Sequence, residues 1–460
     1  MKNNFLSLSK KFILRHSFSE SILQNIESGA TYKLEKDQIE FIYLLDGTNR
    51  FSDIKAMYSR NSISKLTDIL KNLKNLNAVE FLDYVQKRTF VKNKVPDRRL
   101  ESVHLEASGV CNMKCVHCYQ GNLIVNKDKL DFKTIISLLD QMQKMQVSNI
   151  GISGGEPLMM KNLFYILKEV EKRSIRISAL FTNGTLINEN FVKNILSLFS
   201  KFTIFVSLDS IPGNSFTFRG FSKNEAGVVL PKIIQNIKLL VTSGLNVTIN
   251  TVVNTENINY LDQMYSIIKN LNVKSWRLGF PKQTLLFKEN SSSFNVDWDI
   301  IAKKCFVILE NHLANKKPFD LQIEYLYRET LFNQGLHELH GNDYVCDYEG
   351  RRGECCIKPN GDVVSCAYCN EIPVGNILQN SLSEIWYSNK MQSIKMIRID
   401  TVKECVDCEI RSICGTGCRA NAHFLHGDFY NSKDDYACRA VKFFTKEVSP
   451  LLVEYGYKSN

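Results

Sequence analysis

Cys111, Cys115 and Cys118 lie on one short stretch, Cys-Asn-Met-Lys-Cys-Val-His-Cys, with three and then two residues between successive thiols. Three thiolates so spaced can ligate three irons of a 4Fe-4S cube, and without a fourth protein ligand one iron stays open to a substrate. The competing chemistry is structural zinc, which needs four ligands and usually takes them as two close pairs. Here the fourth would be His117, which would have to fold back on its own loop, so the spacing favours iron and sulfur.

A second set of thiols crowds the later part of the chain. Cys405, Cys408, Cys414 and Cys418 run Cys-x2-Cys-x5-Cys-x3-Cys, Cys438 follows, and Cys346, Cys355, Cys356, Cys366 and Cys369 precede them. Paired Cys-x2-Cys units suit zinc as well as iron-sulfur ligation, and on spacing alone both stay open. Cys305, alone on a helical pattern, reads as a buried apolar thiol. No apolar run is long enough to span a bilayer, and Met1 to Lys11 lack the apolar core and cleavage site of a signal peptide, so a cytoplasmic location is expected. In that reducing compartment the 14 cysteines should bind metal rather than form disulfides. The net charge of +10 is spread over scattered lysines and arginines, which suits mild attraction to acidic partners and leaves nucleic acid without support.

Three regions must position these groups. The length of 460 residues suits about three domains, and 44% apolar with 23% charged residues lets each bury a core. Residues 97–315 alternate strands and helices: strands at 103–107, 149–153, 175–182, 202–208, 246–253 and 275–280, and helical patterns at 132–145, 163–172, 190–198, 228–242, 259–270 and 298–313. Such crossovers demand a parallel sheet. Six units make a partial (β/α)6 barrel whose ligands should gather at the strands' C-terminal ends. The cysteine loop follows the first strand there, Gly154-Gly155-Glu156-Pro157 the second and Asn183-Gly184-Thr185 the third, while Ser207-Leu208-Asp209-Ser210 closes the fourth. They define one mouth.

Residues 1–96 hold no cysteine. Short strands at 12–16, 21–26 and 31–34 precede helical patterns at 37–45, 52–59 with Ser52 as N-cap, and 63–76, which makes a winged-helix-like module. Its last helix carries Asp68 among its lysines and no arginine to read bases, which argues against DNA. Lys92 to Arg99, polar and with Pro96, reads as a linker. Residues 316–460 read as a second linker and the cysteine-rich domain.

Cys-x3-Cys-x2-Cys with Gly-Gly-Glu-Pro at this distance resembles the radical S-adenosylmethionine (SAM) superfamily. In that family the cofactor's amino and carboxylate groups chelate the open iron, and an electron from the cluster cleaves the sulfonium to methionine and a 5'-deoxyadenosyl radical. The resemblance implies that Gly154, Gly155 and Glu156 hold the amino group, that Ser207 contacts ribose or carboxylate, and that Arg219, in Phe218-Arg219-Gly220, pairs with the carboxylate. It also implies that Asn183 and Asp209 lie near the ribose and that His117 packs against the cofactor. For Tyr119, just beyond the third cysteine, core packing is the simpler reading.

Ile357-Lys358-Pro359-Asn360-Gly361-Asp362 through Cys366, then Val374-Gly375-Asn376, resembles the hairpin of a SPASM domain, the two-cluster extension of peptide-modifying radical enzymes; Asn360-Gly361 is a hairpin turn in its own right. That pattern implies Cys405, Cys408, Cys414 and Cys438 on a second auxiliary cluster. It implies Cys346, one of Cys355 or Cys356, Cys366 and Cys418 on the first, for three 4Fe-4S clusters in all. The chain departs from the pattern in one extra thiol at Cys355-Cys356 and in Cys369, each of which could be a spare, an alternative ligand or a group that contacts substrate.

Leu44-Leu45-Asp46-Gly47-Thr48 followed by Phe51-Ser52-Asp53-Ile54 resembles the leader-peptide recognition element of peptide-modifying enzymes, a relative of the carrier protein in pyrroloquinoline quinone synthesis, where the leader adds as an extra strand. Together the three parts resemble maturases of ribosomally made peptides, and among them the sactipeptide synthases. The resemblance implies an oxidoreductase, fed by a flavodoxin- or ferredoxin-type reductant, that binds a precursor peptide by its leader. It would take hydrogen from the α-carbon of one residue and join a cysteine sulfur of the same peptide to that carbon. Thioethers at a β or γ carbon, carbon–carbon crosslinks and decarboxylation stay open within the class. A protein residue could be the substrate, as in sulfatase-activating enzymes with the same tail, although those lack the N-terminal module. Outside enzymes, the alternative is a zinc-stabilised winged-helix regulator. No general base stands out.

Overall fold

The computed structural model describes residues 4–282, 287, 289, 293–328, 344–345 and 353–457. Strands β1 (Phe5–Leu8), β2 (Phe12–His16), β3 (Ser21–Asn25) and β4 (Thr31–Lys33) open the chain. Helix α1 (Lys36–Leu44), strand β5 (Asp46–Arg50), helices α2 (Phe51–Ala56) and α3 (Arg60–Asn75), and strand β6 (Val79–Leu82) follow. β2, β3 and β4 form an antiparallel meander, and β1 stands between β5 and β6 in a second sheet. The amphipathic α3 turns Leu66, Ile69, Leu70 and Leu73 onto Leu6, Leu8, Phe41 and Ile42 in a core separate from that of the barrel.

The second sheet differs from the sequence pattern. Asp46-Gly47 reads as a helix stop, yet Gly47 at φ +83° also carries the chain straight into β5. Arg50, not Ser52, is the N-cap of α2, because Asp53 reaches back to accept the Arg50 backbone N–H at 3.0 Å. The linker is also less free than its polarity suggests. Val95 pairs with Ser17, and the Asn93 carbonyl accepts from Gln146 Nε2 at 2.5 Å. The meander docks on the loops that feed the barrel strands: Arg15 donates to the Ser174 carbonyl at 2.8 Å, the His16 N–H to Gln146 Oε1 at 2.8 Å, and the Lys201 N–H to the Glu27 carbonyl at 3.0 Å.

Strands β7 (Ser102–Glu106), β8 (Asn149–Ser153), β9 (Arg176–Thr182), β10 (Thr203–Ser207), β11 (Asn246–Val252) and β12 (Ser275–Gly279) are parallel neighbours in chain order. The short α4 (Asn122–Val125) leaves the cysteine loop, and α5 (Phe132–Lys144), α6 (Leu163–Lys172), α7 (Glu189–Leu196), α8 (Lys223–Thr242) and α9 (Leu261–Asn270) are the crossovers. Alternation sorts each strand into two faces. Val103, Leu105, Ile150, Ile152, Ile204, Val206, Ile249, Trp276 and Leu278 pack under the helices at no more than 1% exposure. Their neighbours His104, Glu106, Ser153, Phe205, Ser207, Asn250 and Arg277 therefore face the lumen.

The sheet runs past residue 315, where the sequence pattern ends the barrel. β13 (Asp320–Ile323) adds a parallel strand beside β12, and β14 (Tyr327–Arg328) turns back antiparallel. At the other edge β15 (Glu354–Ile357) pairs in parallel with β7 and is followed outward by β16 (Asp362–Val364) and β17 (Gly375–Asn376). The cysteine-rich hairpin thus continues the barrel sheet, which has eleven strands among the described residues. No helix among the described residues is long and apolar enough to cross a membrane.

Candidate functional site

The loop after β7 carries Cys111, Cys115 and Cys118, each partly buried. Burial pushes the Cys111 thiol up to about 11 and the Cys118 thiol up to about 12, and the neighbouring thiols add to both shifts; metal ligation would therefore release protons. The loop rests on two glycines. Gly154 has φ +132°, and a Cβ there would lie 2.4 Å from the Ser108 carbonyl oxygen; at Gly155 it would lie 2.3 Å from that of Val110. The N–H groups of Gly155 and Glu156 donate to those same carbonyls at 2.6 and 2.8 Å. Glycine is required by this close approach, not only by the turn.

Glu156 is buried, and burial raises its carboxyl pKa. It accepts from Leu158 N at 3.0 Å, Thr182 Oγ1 at 2.8 Å and Asn183 N at 2.7 Å, tying the end of β8 to the end of β9. Asn183 Nδ2 donates to Asn112 Oδ1 at 2.7 Å and lies 4.0 Å from Cys111 Sγ, while Asn112 Nδ2 donates to Thr185 Oγ1 at 2.8 Å. Asn112 and Thr182 carry no motif signal of their own, though Asn112 lies within the cysteine loop, and Thr185 closes the Asn183-Gly184-Thr185 stretch.

Arg219 pairs with Asp209 and places Nη1 3.7 Å from Cys115 Sγ. Burial would weaken its charge, but Asp209 and Cys115 outweigh burial and hold its pKa above the ordinary value. Asp209 also accepts the Val252 N–H at 2.6 Å. The turn bearing Arg219 is held by Glu256, which accepts from Thr217 Oγ1 and from Phe218 N at 3.0 Å. His117 stacks on Phe218, centroids 3.9 Å apart and planes 2° apart, and burial holds its pKa well below the ordinary value. The partners observed for Arg219 and His117 are thus Asp209 with Cys115, and Phe218. Ser207 stands at the end of β10 in register with Asn250.

Beneath the loop lies a buried ion pair that no motif announces. Lys358 of the hairpin donates to both oxygens of Glu106 at 3.0 and 2.9 Å and to the Ala367 carbonyl at 2.7 Å. Gln120 adds a bond to Glu106 at 2.6 Å. Tyr119, directly after Cys118, lies edge-on to Tyr368 with centroids 5.2 Å apart, so the two thiol-bearing regions meet through packed rings.

In the C-terminal region Cys405, Cys408, Cys414 and Cys438 line one pocket. Asp434 places two thiol-bearing elements at once, since it accepts the Cys418 N–H at 2.9 Å and caps the helix Asp435–Phe443 that carries Cys438. Cys355 and Cys356 point to opposite sides of β15. Cys356 lies 3.5 Å from Glu106 Oε1 and senses Cys366, whereas Cys355 senses Lys395. Cys369 is hydrogen-bonded to Cys366 and near Cys418. Cys305 is fully buried in the barrel's helix layer. Cys346 lies outside the described residues.

Three thiols on one loop, seated on a cradle that a single Cβ would fill, have the donor chemistry for a 4Fe-4S cluster with one iron left for another ligand. Fold and loop together are those of the α/β radical SAM fold with a C-terminal SPASM domain. The chain matches the radical SAM superfamily over residues 105–268 and the SPASM iron-sulfur cluster-binding domain over residues 346–409. It is 24% identical over 376 residues to the cysteine-type anaerobic sulfatase-maturating enzyme of Clostridium novyi (strain NT), covering 75% of this chain and 94% of that one. Among solved structures it resembles Streptococcus suis SuiB bound to the precursor peptide SuiA, with TM-score 0.63, 17% identity and coverage of 94% of this chain and 99% of that one. It also resembles anSMEcpe with bound AdoMet and the peptide Cp18Cys, with TM-score 0.60, 19% identity and coverage of 77% and 98%.

Proposed function

We propose that this protein is a peptide maturase that binds a ribosomally made precursor by its leader and joins a cysteine sulfur to an α-carbon within it. The observation that carries this reading is the three-part chain. Coverage of 94% with peptide-bound SuiB cannot be reached without most of residues 1–96, whereas the 77% shared with anSMEcpe can. Within that module β4 is hydrogen-bonded among the described residues only to β3. Its outer edge, with Thr31 and Lys33 exposed, is where a leader would add as a strand.

Cys111, Cys115 and Cys118 would hold one 4Fe-4S cluster, and Gly154, Gly155, Glu156, Asn183, Ser207, Asp209 and Arg219 would line the SAM site. Bound together, cluster and cofactor supply a 5'-deoxyadenosyl radical able to take a hydrogen atom from carbon. The chain contributes exclusion and orientation. On the lumen face His104 meets Phe181 at 5.4 Å and Phe181 stacks on Phe205 at 4.5 Å, an aromatic lining that disfavours water beside the reacting groups. Cys405, Cys408, Cys414 and Cys438 would hold one auxiliary cluster, and Cys346, Cys356, Cys366 and Cys418 another. Cys356 is chosen over Cys355 because it shares a side of β15 with Cys366.

The test is anaerobic reconstitution to about twelve irons per chain, four per cube. The protein is then incubated with SAM, a strong reductant and a short cysteine-rich peptide encoded beside it. Each bond formed removes two hydrogens from the peptide mass, and fragmentation mass spectrometry separates α-carbon from β- or γ-carbon attachment. Cofactor cleavage with an unchanged peptide mass would defeat the maturase reading.

A further inference from the structure

Arg277 stands on β12 between Trp276 and Leu278, both buried under the helices, so its side chain is on the lumen face. Parallel register sets it beside Asn250 of β11 and Gln322 of β13, and sets Asn250 beside Ser207 of β10. Four polar residues thus form one row across the interior, ending at a residue of the SAM site. The guanidinium lies over the Phe205 ring, 5.5 Å from its centroid.

Charge balance sets Arg277 apart. Arg219, Lys282 and Lys358 are each matched by a carboxylate, Asp209, Glu324 and Glu106 respectively. Arg277 makes neither an ion pair nor a hydrogen bond among the described residues. Asp320, on the neighbouring strand, accepts from Gln322 Nε2 at Oδ2, 3.0 Å, and forms no ion pair with Arg277 among the described residues, its Oδ1 being buried without a hydrogen-bond partner. A half-buried guanidinium on an aromatic face, with its fork unfilled, matches a carboxylate, which it binds through two parallel N–H···O bonds.

We propose that Arg277 receives the acidic side chain of an Asp or Glu that the peptide substrate brings into the barrel beside its reacting residue. This rests on the maturase reading above. SAM also carries a carboxylate, for which Arg219 is the expected partner; Ser207 of the SAM site lies only two strands from Arg277 in the sheet, so the cofactor is the competing source of the carboxylate and is titrated separately.

The test uses reconstituted full-length protein without reductant. Calorimetric titrations are run with SAM alone and then, at saturating SAM, with two short C-terminally amidated peptides of glycine and alanine around one cysteine, identical except for a neighbouring Glu or Gln. Wild type should bind the Glu peptide about tenfold more tightly. Arg277→Gln should bind both alike, and Arg277→Lys should keep part of the preference. Iron content and SAM affinity should be unchanged in both variants. A wild type that treats the peptides alike, including binding neither, overturns the proposal. So does a fall in SAM affinity in Arg277→Gln, which would make the cofactor the source of the carboxylate. A preference for Glu without mass loss in the crosslinking assay removes the maturase reading alone; mass loss without the preference removes this proposal alone.

Discussion

At the scale of residues, the chemistry-bearing groups announce themselves when type and spacing are both unusual. Three thiols on one loop and two adjacent glycines need no structure to be noticed, but the reason for the glycines does. Because a Cβ on Gly155 would meet the Val110 carbonyl, Gly155→Ala should displace the cysteine loop. The expected loss is at least tenfold in 5'-deoxyadenosine formation, of the order that a strained backbone contact imposes, with lower iron content, read by chromatography and iron assay. The twin thiols make a sharper test. Cys356→Ala should lose the first auxiliary cluster while Cys355→Ala keeps it, as read by iron count and electron paramagnetic resonance in a protein already lacking Cys111, Cys115 and Cys118; the opposite result would assign the ligand to Cys355. Asn112, Glu256 and Asp434 escape sequence reading because each acts on a partner at least 16 residues away in the chain, and a common polar residue gives no local sign of that.

At the scale of elements, alternation makes the six parallel strands legible, because outward positions must be apolar to meet helices and the period of two is hard to mimic. A strand without apolar residues has no such pattern. β5 reads Asp-Gly-Thr-Asn-Arg and belongs to a sheet only because β1 supplies its partner. Likewise the link between hairpin and barrel depends on Lys358 meeting Glu106. Both are fully buried, so removing one leaves an uncompensated charge. Lys358→Met should lower stability by about 3–5 kcal/mol, while Glu106→Met with Lys358→Met should recover most of it. Denaturant unfolding of the three proteins checks this, and a double variant as weak as the single one would show the pair to be more than a mutual neutralisation.

At the scale of the molecule, one sheet joins the barrel to the cysteine-rich region. Truncation after residue 345 would strip β15 from β7 and expose the edge of the strand that leads into the cysteine loop. The shortened chain should aggregate on size-exclusion chromatography rather than survive as a trimmed enzyme. The N-terminal module is held more lightly. Lys11 and then Lys201 keep Glu27 below its usual carboxyl value of 4.5, and Lys201 belongs to the barrel. A carboxyl lowered on folding stabilises above its unfolded value and loses that contribution as pH falls through the folded one. The gap in thermal stability between wild type and Glu27→Gln should therefore be below about 1 kcal/mol at neutral pH, close as the pH drops under about 4.5, and shrink in high salt.

Local spacing and periodicity were enough for the thiol loop, the glycine pair, the parallel barrel and the hairpin turn, because each is enforced by neighbours along the chain. Only the tertiary structure decided that Cys356 rather than Cys355 feels the charge of Cys366, that Arg219 already has Asp209, and that Arg277 pairs with no carboxylate among the described residues. Those facts depend on which side chains from distant strands share a face, and the distance between two such groups is set by register and barrel closure rather than by any count along the sequence.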